Sequence, residues 1–156
     1  MTTIDPFKDS QTTKKRKTLN ILLIIFISYH IIFDVIHLPI SLANWFVPFK
    51  VGVPQYIPFH VDDQYAKISG FNRVQFIFKN EHETLTVWAT NDQDWIRYPD
   101  KRETYPLNSG QLGYYSETGN IQTLNFKKDA IHYSMDYEGS TLLSKNELRS
   151  IANSIE

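Results

Sequence analysis

The feature that most constrains this chain is its first apolar segment, Leu19 to Leu38, which follows Lys14-Lys15-Arg16-Lys17 and is closed by Pro39. At roughly 1.5 Å per residue, a helix over that segment is about 30 Å long, the thickness of a bilayer hydrocarbon core. Leu19 to Phe33 is the strongly apolar part, interrupted by Asn20, Ser28, Tyr29 and His30. The segment therefore predicts one membrane-crossing helix over 19–38. Five Lys and Arg precede it, against only Lys50 shortly after it. That asymmetry keeps a short basic tail, 1–18, in the cytoplasm and puts the rest of the chain outside. The competing reading is a cleaved signal peptide ending at Ser41-Leu42-Ala43. An anchor is preferred because the apolar part exceeds a typical signal core, and Asp34 and His37 make a poor approach to a cleavage site.

His30, Asp34 and His37 fall at i, i+4 and i+7, on one face of such a helix. A polar seam within a span suits contact with another membrane or envelope protein, because ionisable groups are costly in lipid and usually face a partner. The plainer alternative, which is preferred, places Asp34 and His37 in the outer headgroup region and leaves only His30 inside. Three ligands on one helix do not complete a metal site, so no metal and no cofactor is expected.

The remainder has the length of one domain. From residue 44 onward, 11 basic residues stand against 14 acidic ones, and such a surface is ill suited to nucleic acid, which needs clustered cations. There is no cysteine, which removes disulfides and thiol chemistry, so the fold must rest on its core. Residues 39–58, rich in Pro and aromatics, read as a stiff connector because Pro48, Pro54 and Pro58 forbid a helix. Trp45, Phe46 and Phe49 suit an interfacial belt, and Val53, Tyr56 and Ile57 suit the start of a core.

In residues 59–156, period-two alternation predicts strands at Arg73–Lys79 and Thr84–Thr90, joined by the polar turn at 80–83. A weaker strand is expected at Tyr65–Ser69. QLGYYSE, IQTLNF and IHYSMDY read as three more strands in a meander, with turns at Gly119-Asn120 and at 127–129. Asn91 to Tyr105, dense in charge and turn formers, reads as a loop. Ser144 followed by Glu147 forms a capping box, flanked by Leu143 and Leu148, and Leu148, Ile151, Ala152 and Ile155 continue at helical spacing. The expected fold is α+β: a transmembrane helix, then an antiparallel sheet of about five or six strands covered by one C-terminal helix.

The chain contains no GxSxG elbow, HExxH, P-loop or GxGxxG. Glu81-His82-Glu83 are neighbours on a turn and point apart, so they read as solvated residues rather than an acid–base pair. Asp92 and Asp94 lack the glycine and distal glutamate of a calcium loop. Trp88, Trp95 and Tyr98 are the candidate ligand-facing aromatics, and alternation puts Trp88 opposite Leu85, Val87 and Ala89. Two functions follow as expectations. The first is a non-catalytic, membrane-anchored binding or sensing module acting through protein partners. The second is an envelope factor that binds cell-wall glycan or lipid through aromatics.

The segments VPFKVGVPQYIPFH, RVQFIFKN with LTVWAT, GYYSETGNIQTLNFKKDAIHYSMDY, and LLSKNELRSIANSIE together resemble a bacterial extracytoplasmic domain family, domain of unknown function 4367, over about residues 48–156. The resemblance implies an anchored domain of Gram-positive bacteria with an envelope or signalling role and no reaction. Residues 1–18 are too short for the sigma-factor-binding segment that some such proteins carry, and they hold no Cys or His for its zinc. Phe59-His60 stands where the family pattern has a polar, glycine-containing turn.

Overall fold

The computed structural model describes residues 18–24, 37–92, 94, 103–108 and 110–156. The chain divides into two compact units, Met1–Val35 and Ile36–Glu156. In the first, residues 18–24 are helical, and 19–24 of these belong to the segment expected to cross a membrane. Among the described residues, no helix is long and apolar enough to do so.

The second unit is a single antiparallel sheet of seven strands: β1 (Asp63–Ile68), β2 (Arg73–Lys79), β3 (Glu83–Thr90), β4 (Glu103–Pro106), β5 (Leu112–Thr118), β6 (Ile121–Lys128) and β7 (Ile131–Gly139). Their order is β1-β2-β3-β7-β6-β5-β4. Two meanders, β1–β3 and β4–β7, are thus joined through β3 and β7. The sheet exceeds the expected five or six strands because β4 lies in the stretch read as a loop. Its sequence, ETYP, has no apolar alternation. As an edge strand it buries little and needs none, and Pro106 is tolerated there because an edge leaves one side of the ladder unpaired.

One face of the sheet carries the core. Ala66, Ile68, Val74, Phe76, Phe78, Leu85, Val87, Ala89, Leu124, Phe126, Tyr133, Met135 and Tyr137 alternate into it and are buried. Two elements complete this core. The first is helix α1 (Lys145–Asn153), capped as expected: Glu147 N–H donates to the Ser144 hydroxyl and Ser144 N–H to the Glu147 carboxylate. Its Leu148, Ile151 and Ala152 are buried. The second is the proline-aromatic segment. A 3-10 helix, Ile40–Trp45, turns Ala43 inward, and Val47, Val51 and Pro54 follow it into the core. Tyr56, expected to begin the core, is exposed instead.

Backbone pairing holds that segment in place. Leu38 and Ala66 exchange both hydrogen bonds, at 2.9 and 2.7 Å, so Leu38, expected as the end of a helix, extends the sheet beside β1. Val53 and Glu156 likewise exchange both bonds, at 2.9 and 3.3 Å. The Asn44 amide spans Val51, accepting from its N–H at 2.7 Å and donating to its carbonyl at 3.2 Å. Gly52 N–H donates to the Tyr133 hydroxyl. A Cβ at Gly52 would sit 2.7 Å from Ile155, so the close approach requires glycine.

A buried amide fixes the approach to α1. Gln122 is 2% exposed on β6, accepts from Leu143 N–H at 2.7 Å, and donates to the Leu143 carbonyl at 2.9 Å and the Tyr115 hydroxyl at 3.1 Å. Gln122→Met takes the side-chain partner from both the Leu143 N–H and the Leu143 carbonyl and leaves the Tyr115 hydroxyl only its bond to Glu117, and the urea midpoint should fall by the equivalent of about 1–3 kcal/mol. The β6–β7 turn has the opposite defect. Asp129 and Ala130 both have positive φ, at 49° and 66°, where a side chain crowds the following carbonyl. Ala130→Gly should raise stability by about 0.5–1 kcal/mol, after allowing for the extra freedom glycine gains when unfolded, and the melting temperature by about 2–4 °C.

Candidate binding face

Alternation that sends one set of side chains into the core sends the other to the second face. The registers align these into cross-strand rows. One row runs Gln75, Trp88, Ser134, Asn125, Tyr114, across β2, β3, β7, β6 and β5. A second runs Tyr65, Ile77, Thr86, Asp136, Thr123, Ser116. A third contains Arg73, Thr90, His132 and Lys127. Directly opposed side chains lie roughly 4.5–5.5 Å apart at Cβ. The central row therefore sets an amide, an indole, a hydroxyl, an amide and a phenol side by side.

Two groups on this face have displaced titrations. Burial raises the Asp136 carboxyl above its ordinary value, and the hydrogen bond from the Thr123 hydroxyl, 2.7 Å long, only partly offsets this. Burial lowers His132, and the Lys127 charge lowers it further against an opposing pull from Asp92. Both His132 ring nitrogens are buried without a hydrogen-bond partner. His132 also lines a cleft of about 450 Å³ with Tyr114, Lys127, Asp129 and Ala130. On the core side, a cleft of about 650 Å³ opens between Phe49, Lys50, Lys128, Ile131, Tyr133 and Ile155.

His132, Ser134 and Asp136 share this face at every second position of β7, a signal legible in IHYSMDY that the sequence reading did not use. They do not form a nucleophile–base relay. At roughly 3.4 Å per residue, Asp136 lies about 14 Å along the strand from His132, and its carboxylate is taken by Thr123.

Of the sequence candidates, Trp88 lies on the second face as alternation requires and is half-buried between Gln75 and Ser134. Trp95, Tyr98, His30 and Asp34 lie outside the described residues. His37 is exposed, and its ring stacks on Tyr65 with centroids 3.7 Å apart. The structure thus attaches one member of the His30–Asp34–His37 set to the sheet. Glu81 and His82 are exposed on the β2–β3 turn, where Asn80 accepts from the N–H groups of His82 and Glu83. Glu83 instead turns to the Tyr137 hydroxyl, which donates to it at 2.8 Å. Asp92 accepts from the Asn72 amide and from Asp94 N–H, a local turn network. Among the described residues, no three His, Asp or Glu side chains are grouped to hold a metal ion.

No protein-family model, curated protein or solved structure matches the chain.

The raised Asp136 titration has a definite sign. Below the ordinary carboxyl range the group is neutral in both the folded and unfolded chain and there is no penalty. As pH rises from the ordinary value to the raised folded one, the unfolded chain ionises while the fold still holds the proton, so stability falls, and above the folded value the full penalty of the buried charge is carried. Asp136→Asn keeps an acceptor for Thr123 and removes the charge. Its urea midpoint should exceed the parent's at pH 7, and the two should converge towards about pH 4. A gap that widens in acid would reverse the assignment.

Proposed function

We propose that this chain is a single-pass membrane protein whose unit Ile36–Glu156 is an extracytoplasmic binding or sensing module, acting through protein partners in the cell envelope rather than by catalysis. The observation that carries the reading is the row Gln75, Trp88, Ser134, Asn125, Tyr114, held across five neighbouring strands. Rigid strands hold such groups more closely than loops do, and this row supplies donors, acceptors and ring faces without an activated nucleophile. The apolar segment with its basic collar supports the anchor, and the family resemblance supports an envelope setting.

Affinity purification of the full chain from native membranes tests this directly. Thr86→Lys introduces a charge on the second face, and Ser150→Lys introduces one on the exposed side of α1. A protein partner retained by the parent and by Ser150→Lys should be lost from Thr86→Lys. Equal retention by all three would move the interaction off this face.

A second reading, a tethered factor that binds cell-wall glycan or lipid, is favoured by Trp88 and Tyr114 standing in the same row. It requires a quench of tryptophan fluorescence on addition of soluble wall fragments or lipid, and no response would remove it.

A further inference from the structure

The cleft of about 650 Å³ on the core side sets a half-buried cation against an apolar wall. Phe49, Ile131, Tyr133 and Ile155 supply the wall, and Lys50, Lys128, Asp129 and Glu156 are its charged residues. Lys50, Asp129 and Glu156 are exposed, so water screens them, whereas Lys128 is half-buried. The Lys128 ammonium donates to the Ile155 carbonyl, which puts its charged end at the wall of this cleft. An ammonium has further N–H donors beyond the one that carbonyl takes. Among the described residues, the ion pairs are His60–Asp62, Lys79–Asp63 and Lys145–Glu103, and no carboxylate pairs with Lys128. A cation withdrawn from water is costly unless an anion or more acceptors meet it. A second donor stands beside it. Tyr133 is 3% exposed, and its hydroxyl oxygen accepts from Gly52 N–H at 3.0 Å, while its own proton meets no acceptor among the described residues. Burial raises the Tyr133 titration above its ordinary value, which keeps that proton in place at neutral pH. A Cβ at Gly52 would lie 2.7 Å from Ile155, so the two residues that hold these donors are immediate neighbours.

We infer that this cleft binds a small organic carboxylate with an apolar body, the carboxylate meeting the Lys128 ammonium and the Tyr133 hydroxyl, and the body lying against Phe49, Ile131 and Ile155. An anion is selected because the two inner polar groups are both donors, while the acids Asp129 and Glu156 are exposed. An apolar body is selected because the rest of the wall offers it ring and aliphatic surface. The volume, about 650 Å³, lies within the roughly 300–1,000 Å³ of ordinary small-molecule sites. The site is on the core side of the sheet, away from the row Gln75, Trp88, Ser134, Asn125, Tyr114, so it stands independently of the partner-binding reading above.

Calorimetric titration of the full chain in dodecyl maltoside, with empty micelles subtracted, compares hydrocinnamate with its neutral isostere hydrocinnamamide. The acid should bind about tenfold more tightly, the scale of one charge-assisted hydrogen bond. Lys128→Met should abolish that preference and leave the amide affinity unchanged, and Lys128→Arg should keep it. Lys145→Met, which removes a cation of α1 instead, should behave as the parent. Equal affinity for acid and amide in the parent, no binding of either, or a preference that survives Lys128→Met overturns the inference. A second readout needs no variant. Saturating hydrocinnamate should slow acetylation of Lys128 by N-hydroxysulfosuccinimide acetate, followed by peptide mass spectrometry, and leave Lys145 unaffected. Unchanged acetylation of Lys128 would put the acid elsewhere and overturn the site.

Discussion

The pairing of β3 with β7 is the interaction on which the rest of this unit depends. Eight residue pairs, from Glu83↔Gly139 to Thr90↔His132, join strands that are distant in sequence. Closing so long a loop costs chain entropy before any contact returns it, so this ladder must be stabilised by the core beneath it. Leu85, Val87 and Ala89 lie over Tyr137, Met135 and Tyr133 along the junction, all buried. The end of the ladder is locked by the Tyr137 hydroxyl, whose one proton is shared between the Glu83 carboxylate at 2.8 Å and the Thr141 carbonyl at 3.1 Å. Gly139 is needed above it, because a Cβ there would meet the Tyr137 oxygen at 2.3 Å.

Once the two meanders are joined, their shared apolar face is too wide for α1 alone, and the chain covers it from both ends. Helix α1 takes the β4–β6 side, where Lys145 pairs with Glu103 and lies over the Tyr115 ring, and Arg149 lies over Tyr105. These exposed pairs orient the helix more than they stabilise it. The proline-aromatic segment reaches β7 through Gly52 and Tyr133, and its Phe59 lies 6.2 Å from Tyr137. The two covers are bonded to each other between Val53 and Glu156. Residues from 38 onward therefore belong to the folded unit, and what reads as a connector is a structural layer.

The second face follows from the first, since every strand that buries alternate residues must present the others. The row at its centre is made of neutral hydrogen-bonding groups, charged residues such as Lys79, Glu138, Arg73 and Lys127 stand on either side of it, and burial pushes Asp136 and His132 towards their uncharged forms. A row of that kind recognises by directional hydrogen bonds and ring contact, and it is less sensitive to salt than a charged patch.

Local patterning determined much of this protein. The period-two runs gave β2 with its bounds, and β3, β5, β6 and β7 to within a residue or two, because a half-buried strand must alternate. The Ser144–Glu147 box gave the start of α1, because capping is satisfied within one turn of chain. Trp88 was assigned to the second face for the same reason of alternation. Pairing between distant segments left no such mark. Strand β4 buries too little to alternate, Leu38 is apolar for either a helix or a bridge, and the β3–β7 junction is set by which faces fit together. His132, Ser134 and Asp136 were visible on one strand, but only the register brought Thr123 to Asp136 and Lys127 to His132. Short-range sterics are written into a few neighbouring residues, whereas the neighbours of a side chain across a sheet are chosen by the packing of the whole core.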